Sequence, residues 1–239
     1  MSPQLHVLRV FVAADGSHGN PLGVFLDGLA VHLYDRQKVA FELNFSETVF
    51  VDKVADATAR IQIYTPAAQL PFAGHPTVGT SWLLRHEGTP VDVLEVPAGD
   101  VAVWPETDLS WIRARAAWVH PMTMHQYATP TEVEALEAPP PGESSFYAWA
   151  WQDEHAGILR SRYFAGGFGI KEDEATGAAA VVMGDRLGRA LLIRQGRGSE
   201  LHVRPGPEGS VEVGGRVVLD SVKSVGIRVA QVAADTPAP

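Results

Sequence analysis

The sequence predicts an α+β fold built from two similar halves. Three observations lead there. Short runs of β-branched and apolar residues recur along the whole chain. Each half holds one stretch of small and apolar residues, about 75–86 and about 175–187, that reads as a largely buried helix. A tight loop leads into each: Pro71-Phe72-Ala73-Gly74-His75 in the first half, Glu172-Asp173-Glu174-Ala175-Thr176-Gly177 in the second. A sheet wrapped around a helix would bury such a helix on every side. The expected division is 1–110 and 111–230, with the last strand returning to the first half, then a tail over 231–239.

Leu5–Val12 and Leu22–Leu26 read as strands joined by the turn residues Asp15–Pro21, a hairpin. Asp35–Leu43 reads as a short helix. Glu47–Val51 and the alternating Arg60–Tyr64 read as strands. Pro76 suits the first turn of the helix His75–His86, because its missing N–H is unpaired there anyway. Arg85 and His86 suit its negative end, and Gly88 its stop.

Val91–Val96, Val101–Trp104 and Leu109–Trp118 are expected antiparallel, because their connections are too short for crossovers. The last places Ile112, Ala114, Ala116 and Trp118 on one face and Arg113 and Arg115 on the other. Thr129-Pro130-Thr131-Glu132 reads as a capping box opening a helix to about Leu136. Strands follow at Phe146–Trp151 and Gly157–Phe164. Gly188 ends the second buried helix. Ala190–Arg194, Glu200–Arg204, Ser210–Val213, Val217–Leu219 and Val225–Val229 complete the strands, and Ala233–Pro239 is expected to be disordered.

The 239 residues are 46% hydrophobic and 20% charged, enough for a sizeable core. A net charge of −9 without any Lys/Arg run argues against nucleic acid or an anionic membrane as partner. The absence of cysteine excludes disulfides, zinc–thiolate sites, iron–sulfur clusters and thiol nucleophiles. The N-terminus does not read as a signal peptide, and no apolar run approaches the ~20 residues that span a bilayer, so a cytoplasmic location is expected. His6, His18, His32, His86, His120, His125, His155 and His202 lack metal-ligand spacing and read as structural or exposed. Gly166-Gly167-Phe168-Gly169 is too weak for a phosphate loop.

Several segments resemble the PhzF family of phenazine biosynthesis. In order they are Gly19-Asn20-Pro21-Leu22-Gly23-Val24-Phe25, Asn44-Phe45-Ser46-Glu47-Thr48-Val49-Phe50-Val51 and Thr65-Pro66. Leu70-Pro71-Phe72-Ala73-Gly74-His75-Pro76-Thr77-Val78-Gly79-Thr80, Glu172-Asp173 with Ala175-Thr176-Gly177, and Gln195-Gly196 with Leu201-His202-Val203 follow. The resemblance implies a diaminopimelate-epimerase-like fold. That fold has two topologically similar lobes, each a curved antiparallel sheet around a central buried helix, with the active site between them. It also implies an isomerase without a cofactor or metal, acting on a small carboxylate-bearing molecule, and a homodimer. Epimerases of this fold carry a cysteine at each helix start; here Gly74-His75 and Thr176-Gly177-Ala178 stand there, which excludes two-thiol chemistry.

Glu47 is the candidate acid–base group. Spacing alone favours a surface glutamate at a strand start, but the resemblance makes it the residue that shuttles a proton between substrate carbons. That task needs a carboxyl raised by partial burial, and Phe45, Val49 and Phe50 could supply it. His75 would donate to a substrate carboxylate or act as auxiliary acid or base; a lone histidine would otherwise be a helix cap. Asp173 would orient a polar substrate group or tune His75, or would simply favour a helix start with Glu172 and Glu174.

Gly74, Thr176, Gly177 and Ala178 would bind the substrate, largely through backbone N–H groups at the two helix starts. The sequence departs from the family pattern at Ala178 (usually serine), Glu174 (usually proline), Gly166 and Gln69. Two alternatives stay open: a non-catalytic binding member of the fold, and a racemase or epimerase that uses no cysteine.

Overall fold

The computed structural model describes residues 2–226. Its elements are β1 (Gln4–Val12), β2 (Asn20–Phe25), α1 (Arg36–Leu43), β3 (Glu47–Ala55), β4 (Thr58–Tyr64), β5 (Gln69–Leu70) and α2 (Gly74–His86). Next come β6 (Val93–Val96), β7 (Gly99–Glu106), β8 (Leu109–Ala114), β9 (Thr123–Gln126), α3 (Pro130–Glu134), β10 (Phe146–Asp153) and β11 (Ile158–Ala165). The chain continues through β12 (Ile170–Asp173), α4 (Gly177–Leu187), β13 (Leu191–Gln195), β14 (Ser199–Pro205) and β15 (Val211–Ser224).

The strands form one continuous sheet in the order β1-β2-β3-β4-β6-β7-β8-β15-β14-β13-β11-β10-β9, with β5 on β4 and β12 on β11. β15 also pairs with β1, which closes β1–β4, β6–β8 and β15 into a ring. α2 packs against β1, β2, β3, β7, β8 and β15, inside that ring. This explains its composition. Nearly every side chain from Gly74 to Leu84 is buried, and the small residues Gly79, Thr80 and Ser81 let the sheet approach. A Cβ on Gly79 would lie 2.6 Å from Leu22. α4 packs on β14 and β15 and touches α2.

Three expectations need correction. The sheet is mixed: β2–β3, β4–β6, β9–β10 and β11–β13 pair in parallel. In all four pairs the connection contains a helix, α1, α2, α3 or α4, long enough to carry the chain back to the same end of the sheet. The expected strands 210–213 and 217–219 are one strand, β15, because Gly214 and Gly215 continue the extended backbone. β8 ends at Ala114, and Ala116–Trp118 forms a 3-10 turn, so Trp118 does not continue the strand face. Val225 and Gly226 are not strand, and the rest of 225–229 and the tail lie outside the described residues.

Other expectations match. β1 and β2 form the antiparallel hairpin, and β6, β7 and β8 are antiparallel. Thr129 and Glu132 form the reciprocal capping box. Among the described residues no helix is long and apolar enough to cross a membrane.

One device was not anticipated. Arg36 on α1 is buried and donates to Asp52 Oδ1 at 2.6 Å and to the Gly28 carbonyl at 2.8 Å, its guanidinium 4.9 Å from the Phe50 ring centre. It fastens α1 to β3, the strand that carries Glu47.

Candidate active site

Asn44 ends α1 with φ 54°, a left-handed conformation that asparagine tolerates. The chain thereby turns at once into β3. Glu47 opens that strand opposite Leu22, so it lies beside the start of β2, where Asn20 sits. Asp173 closes β12 opposite Tyr163, and α4 begins four residues later. The sheet therefore brings Glu47, His75 and Asp173 together from three separate segments. Their exposures are only 8%, 2% and 5%, so water screens them little.

The two helix starts meet. A Cβ on Gly74 would lie 2.5 Å from the Gly177 carbonyl carbon, and one on Gly177 would lie 2.7 Å from the Gly74 Cα. Both positions exclude any side chain, and the reason is contact between the helices. Neither start is capped by a side chain. Ala73 has nothing to offer, and the Thr176 hydroxyl is engaged elsewhere. The positive ends of two helices thus converge without side-chain acceptors on their first-turn N–H groups.

Glu47 Oε2 lies 3.3 Å from His75 Nε2. The pair lacks the alignment of a hydrogen bond, and neither atom has another partner. Burial lifts the Glu47 carboxyl well above the ordinary range, and the charge of Asp173 lifts it further. Burial pushes His75 down to about 3, with the Pro21 carbonyl opposing weakly, so the ring is neutral. The contact is therefore not an ion pair.

Asp173 is held differently. Its Oδ1 accepts from Asn20 Nδ2 at 2.7 Å, and its Oδ2 accepts from Thr176 Oγ1 at 2.5 Å. Burial raises it to about 6, while these two donors work the other way. Asn20 Nδ2 also donates to the Ala175 carbonyl at 2.9 Å, which uses its second hydrogen and leaves His75 Nδ1 at 3.3 Å as a contact. Ser46 Oγ donates to Asn20 Oδ1 at 2.9 Å and fixes the amide's orientation.

These groups face a cleft of about 610 Å³, its open mouth included. Glu47, Asp173 and Thr176 stand on its polar side, with Ala178 beside them. Phe72, Trp118, Met122, Phe168 and Ile170 are among the residues of its apolar wall. Phe72 and Trp118 pack with ring centres 5.9 Å apart. Tyr163 reaches the cleft, and its hydroxyl pairs with Ser145 Oγ at 2.7 Å. Among the described wall residues there is no lysine or arginine, so a bound anion would rely on the helix starts. No group of three or more potential metal ligands occurs among the described residues.

Of the residues singled out in the sequence, Glu47, Asp173, Thr176 and Ala178 line the cleft directly. His75 stands against Glu47, and Gly74 and Gly177 face each other outside the wall. Sequence reasoning missed Asn20, Gln195, Trp118 and Tyr163. Asn20 and Gln195 lie in the Gly-Asn-Pro and Gln-Gly segments, but nothing there shows what their amides touch. His120 is exposed, at the mouth of the cleft, with its ring edge-on to Phe168 at 5.4 Å.

The phenazine biosynthesis-like family, PhzC-PhzF, matches residues 9–139. The trans-2,3-dihydro-3-hydroxyanthranilate isomerase of Pseudomonas chlororaphis is 31% identical over 221 residues, covering 77% of this chain and 79% of that protein. Among solved structures, the PhzF-family phenazine biosynthesis protein of Bacillus anthracis superposes with a TM-score of 0.77 at 20% identity, over 95% of this chain and all of that one. A probable proline racemase from Agrobacterium radiobacter, with bound carbonate, gives 0.65 at 13% identity, over 94% of this chain and 93% of that one. The two structures show a shared fold. The first half's motifs, the family match and the relative that is 31% identical over 77% of this chain together make it a member of the PhzC-PhzF, phenazine biosynthesis-like, family.

Proposed function

We propose that the chain is an isomerase that moves a proton within a small carboxylate-bearing substrate, with Glu47 as the acid–base group. The observation that carries this reading is the state of Glu47. It is a buried carboxyl in a cleft wall, its Oε2 has no hydrogen-bond partner, and a neutral imidazole stands 3.3 Å away. A carboxyl raised by burial can give and take a proton near neutrality. The electron pair left at carbon passes into the substrate's own conjugated system and the proton returns at another carbon, so no redox group or cofactor enters the scheme.

His75 would exchange a proton with Glu47 or with the substrate. Asp173 would hold a polar substrate group. The first-turn N–H groups of α2 and α4 would hold the carboxylate, replacing the water it loses in an apolar cleft. Residues 1–110 and 111–230 would act as two lobes whose closure excludes water from the bond-changing step. Ala178 offers only a methyl group where it lines the cleft. The substrate's anion would therefore depend on backbone donors at that point, and this favours a substrate different from the relative's.

The test is solvent hydrogen exchange. The protein is incubated in deuterium oxide with trans-2,3-dihydro-3-hydroxyanthranilate and a panel of small cyclic and amino-acid carboxylates, followed by NMR. Deuterium entering a carbon of one compound, with a shifted double bond or inverted centre, is the expected result. Compounds that bind, seen as thermal shifts, without any exchange would instead support the non-catalytic reading.

A further inference from the structure

Gln195 ends β13, is fully buried and lies outside the cleft wall. Its side-chain nitrogen donates to the Asp173 carbonyl at 2.9 Å and to Thr176 Oγ1 at 2.8 Å. A carbonyl can only accept, so the group facing it must be the amide NH2, and the orientation of the amide is settled. Its two hydrogens then have two acceptors. One of them is the Thr176 hydroxyl oxygen.

That has a consequence for Thr176. A hydroxyl has one hydrogen to give. With the Gln195 amide donating to its oxygen, the Thr176 hydrogen goes to the nearest acceptor, Asp173 Oδ2 at 2.5 Å. A threonine in the N-cap place just before a helix would ordinarily turn its oxygen to the helix N–H groups. Here it does not, and α4 has no side-chain cap. The same amide also pins the backbone at Asp173. Gln195 Oε1 has no partner at all, an arrangement that is costly in a buried site and is tolerated where the other end of the amide is in use.

We propose that Gln195 is a positioning residue: it commits the Thr176 hydroxyl hydrogen to Asp173 Oδ2, which keeps the negative charge of the acidic pair on Asp173 and the mobile proton on Glu47. Two carboxyls in one dry site cannot both ionise cheaply, and the one with more donors takes the charge. Asp173 has Asn20 on one oxygen and Thr176 on the other, whereas Glu47 Oε2 has none. Without Gln195 the Thr176 hydroxyl is free to turn toward the N–H groups of α4, which would remove a donor from Asp173 and block the anion site at once.

This rests on the reading of Glu47 as the acid–base group, but its test needs no substrate. The Asp173 carboxyl carbon is followed by 13C NMR against pH in the parent protein and in Gln195→Met, which keeps the volume and loses the donor. The expected result is an upward move of the Asp173 midpoint by about one pH unit. In a Thr176→Val background Gln195→Met should add no further move, since its effect runs through the hydroxyl. An unchanged midpoint in Gln195→Met, or an equal move in both backgrounds, overturns the proposal.

Neutron diffraction of the unsubstituted protein gives a readout that does not depend on a variant folding. Deuterium on Thr176 Oγ1 should point at Asp173 Oδ2; deuterium pointing at Gln195 or into α4 overturns it. Failure of Glu47 to exchange protons with any substrate would sink the acid–base reading while leaving both of these results unaltered.

Discussion

Glu47 Oε2 and His75 Nε2 face each other at 3.3 Å, buried, without forming a hydrogen bond. Such a pair is poor for stability, because buried polar atoms left unpaired cost free energy. It is well suited to handing a proton on. The ring is neutral because burial holds His75 down to about 3.

The neutrality of His75 is directly measurable. Ring 15N shifts of His75 should report a neutral imidazole from pH 7.5 down to about 4. A midpoint near the ordinary value of about 6.5 would contradict the account. His75→Gln should lower turnover of the identified substrate by about 100- to 10,000-fold, as loss of an acid–base partner does. A variant that only raises KM would place His75 in binding alone.

Stability should depend on pH in opposite senses at His75 and Asp173. The Asp173 carboxyl is raised to about 6 in the folded protein, against about 3.9 when unfolded. The folded state thus binds more protons between these values. This contribution is fully present below about 4 and lost as the pH rises through about 6. His75, held down to about 3, contributes stability that is present above about 6.5 and lost as the pH falls toward about 3. Asp173→Asn removes the first effect and keeps the second. Its Tm relative to the parent should therefore increase steadily from pH 4 to 6.5, measured by calorimetry. A difference that stays flat or falls over this range would contradict the burial assigned to Asp173.

The meeting of the helix starts leaves no room for a methyl group. Gly177→Ala places a Cβ 2.7 Å from the Gly74 Cα and 2.9 Å from the His75 nitrogen. The neighbours are backbone and cannot rotate away. Urea denaturation should show a loss of about 1–3 kcal/mol, the usual cost of overpacking. A change below about 0.5 kcal/mol, the level of an ordinary surface substitution, would mean that the helix starts are farther apart than described.

Much of this was legible in the chain, for physical reasons that differ by element. α2 and α4 could be read because an all-round apolar, small-residue helix has only one place to go, inside a sheet. The capping box at Thr129 could be read because it is local. The parallel pairings could not, since periodicity reports which face of a strand is buried and says nothing of its neighbour. Trp118 was misplaced because β8 stops at Ala114 and the alternation beyond it is coincidental.

At the site, Glu47, His75 and Asp173 were visible through the motifs that carry the resemblance. The Gln195 amide was not, because a hydrogen bond across 19 residues to Thr176 leaves no pattern in sequence. Gly74 and Gly177 read as places where a ligand approaches the backbone. Each is also packed against the backbone of the other helix, a contact that leaves no pattern in sequence.

The most direct test of Glu47 as the proton carrier is deuterium exchange by Glu47→Gln. The substitution keeps the size of the side chain and removes its ability to titrate. With the fold retained by circular dichroism and the substrate identified from the panel, the variant should lose at least about 1,000-fold in the rate of deuterium incorporation. Binding should stay within about tenfold of the parent, because the helix starts proposed to hold the anion are untouched. Incorporation by Glu47→Gln at the parent's rate would show that another group moves the proton.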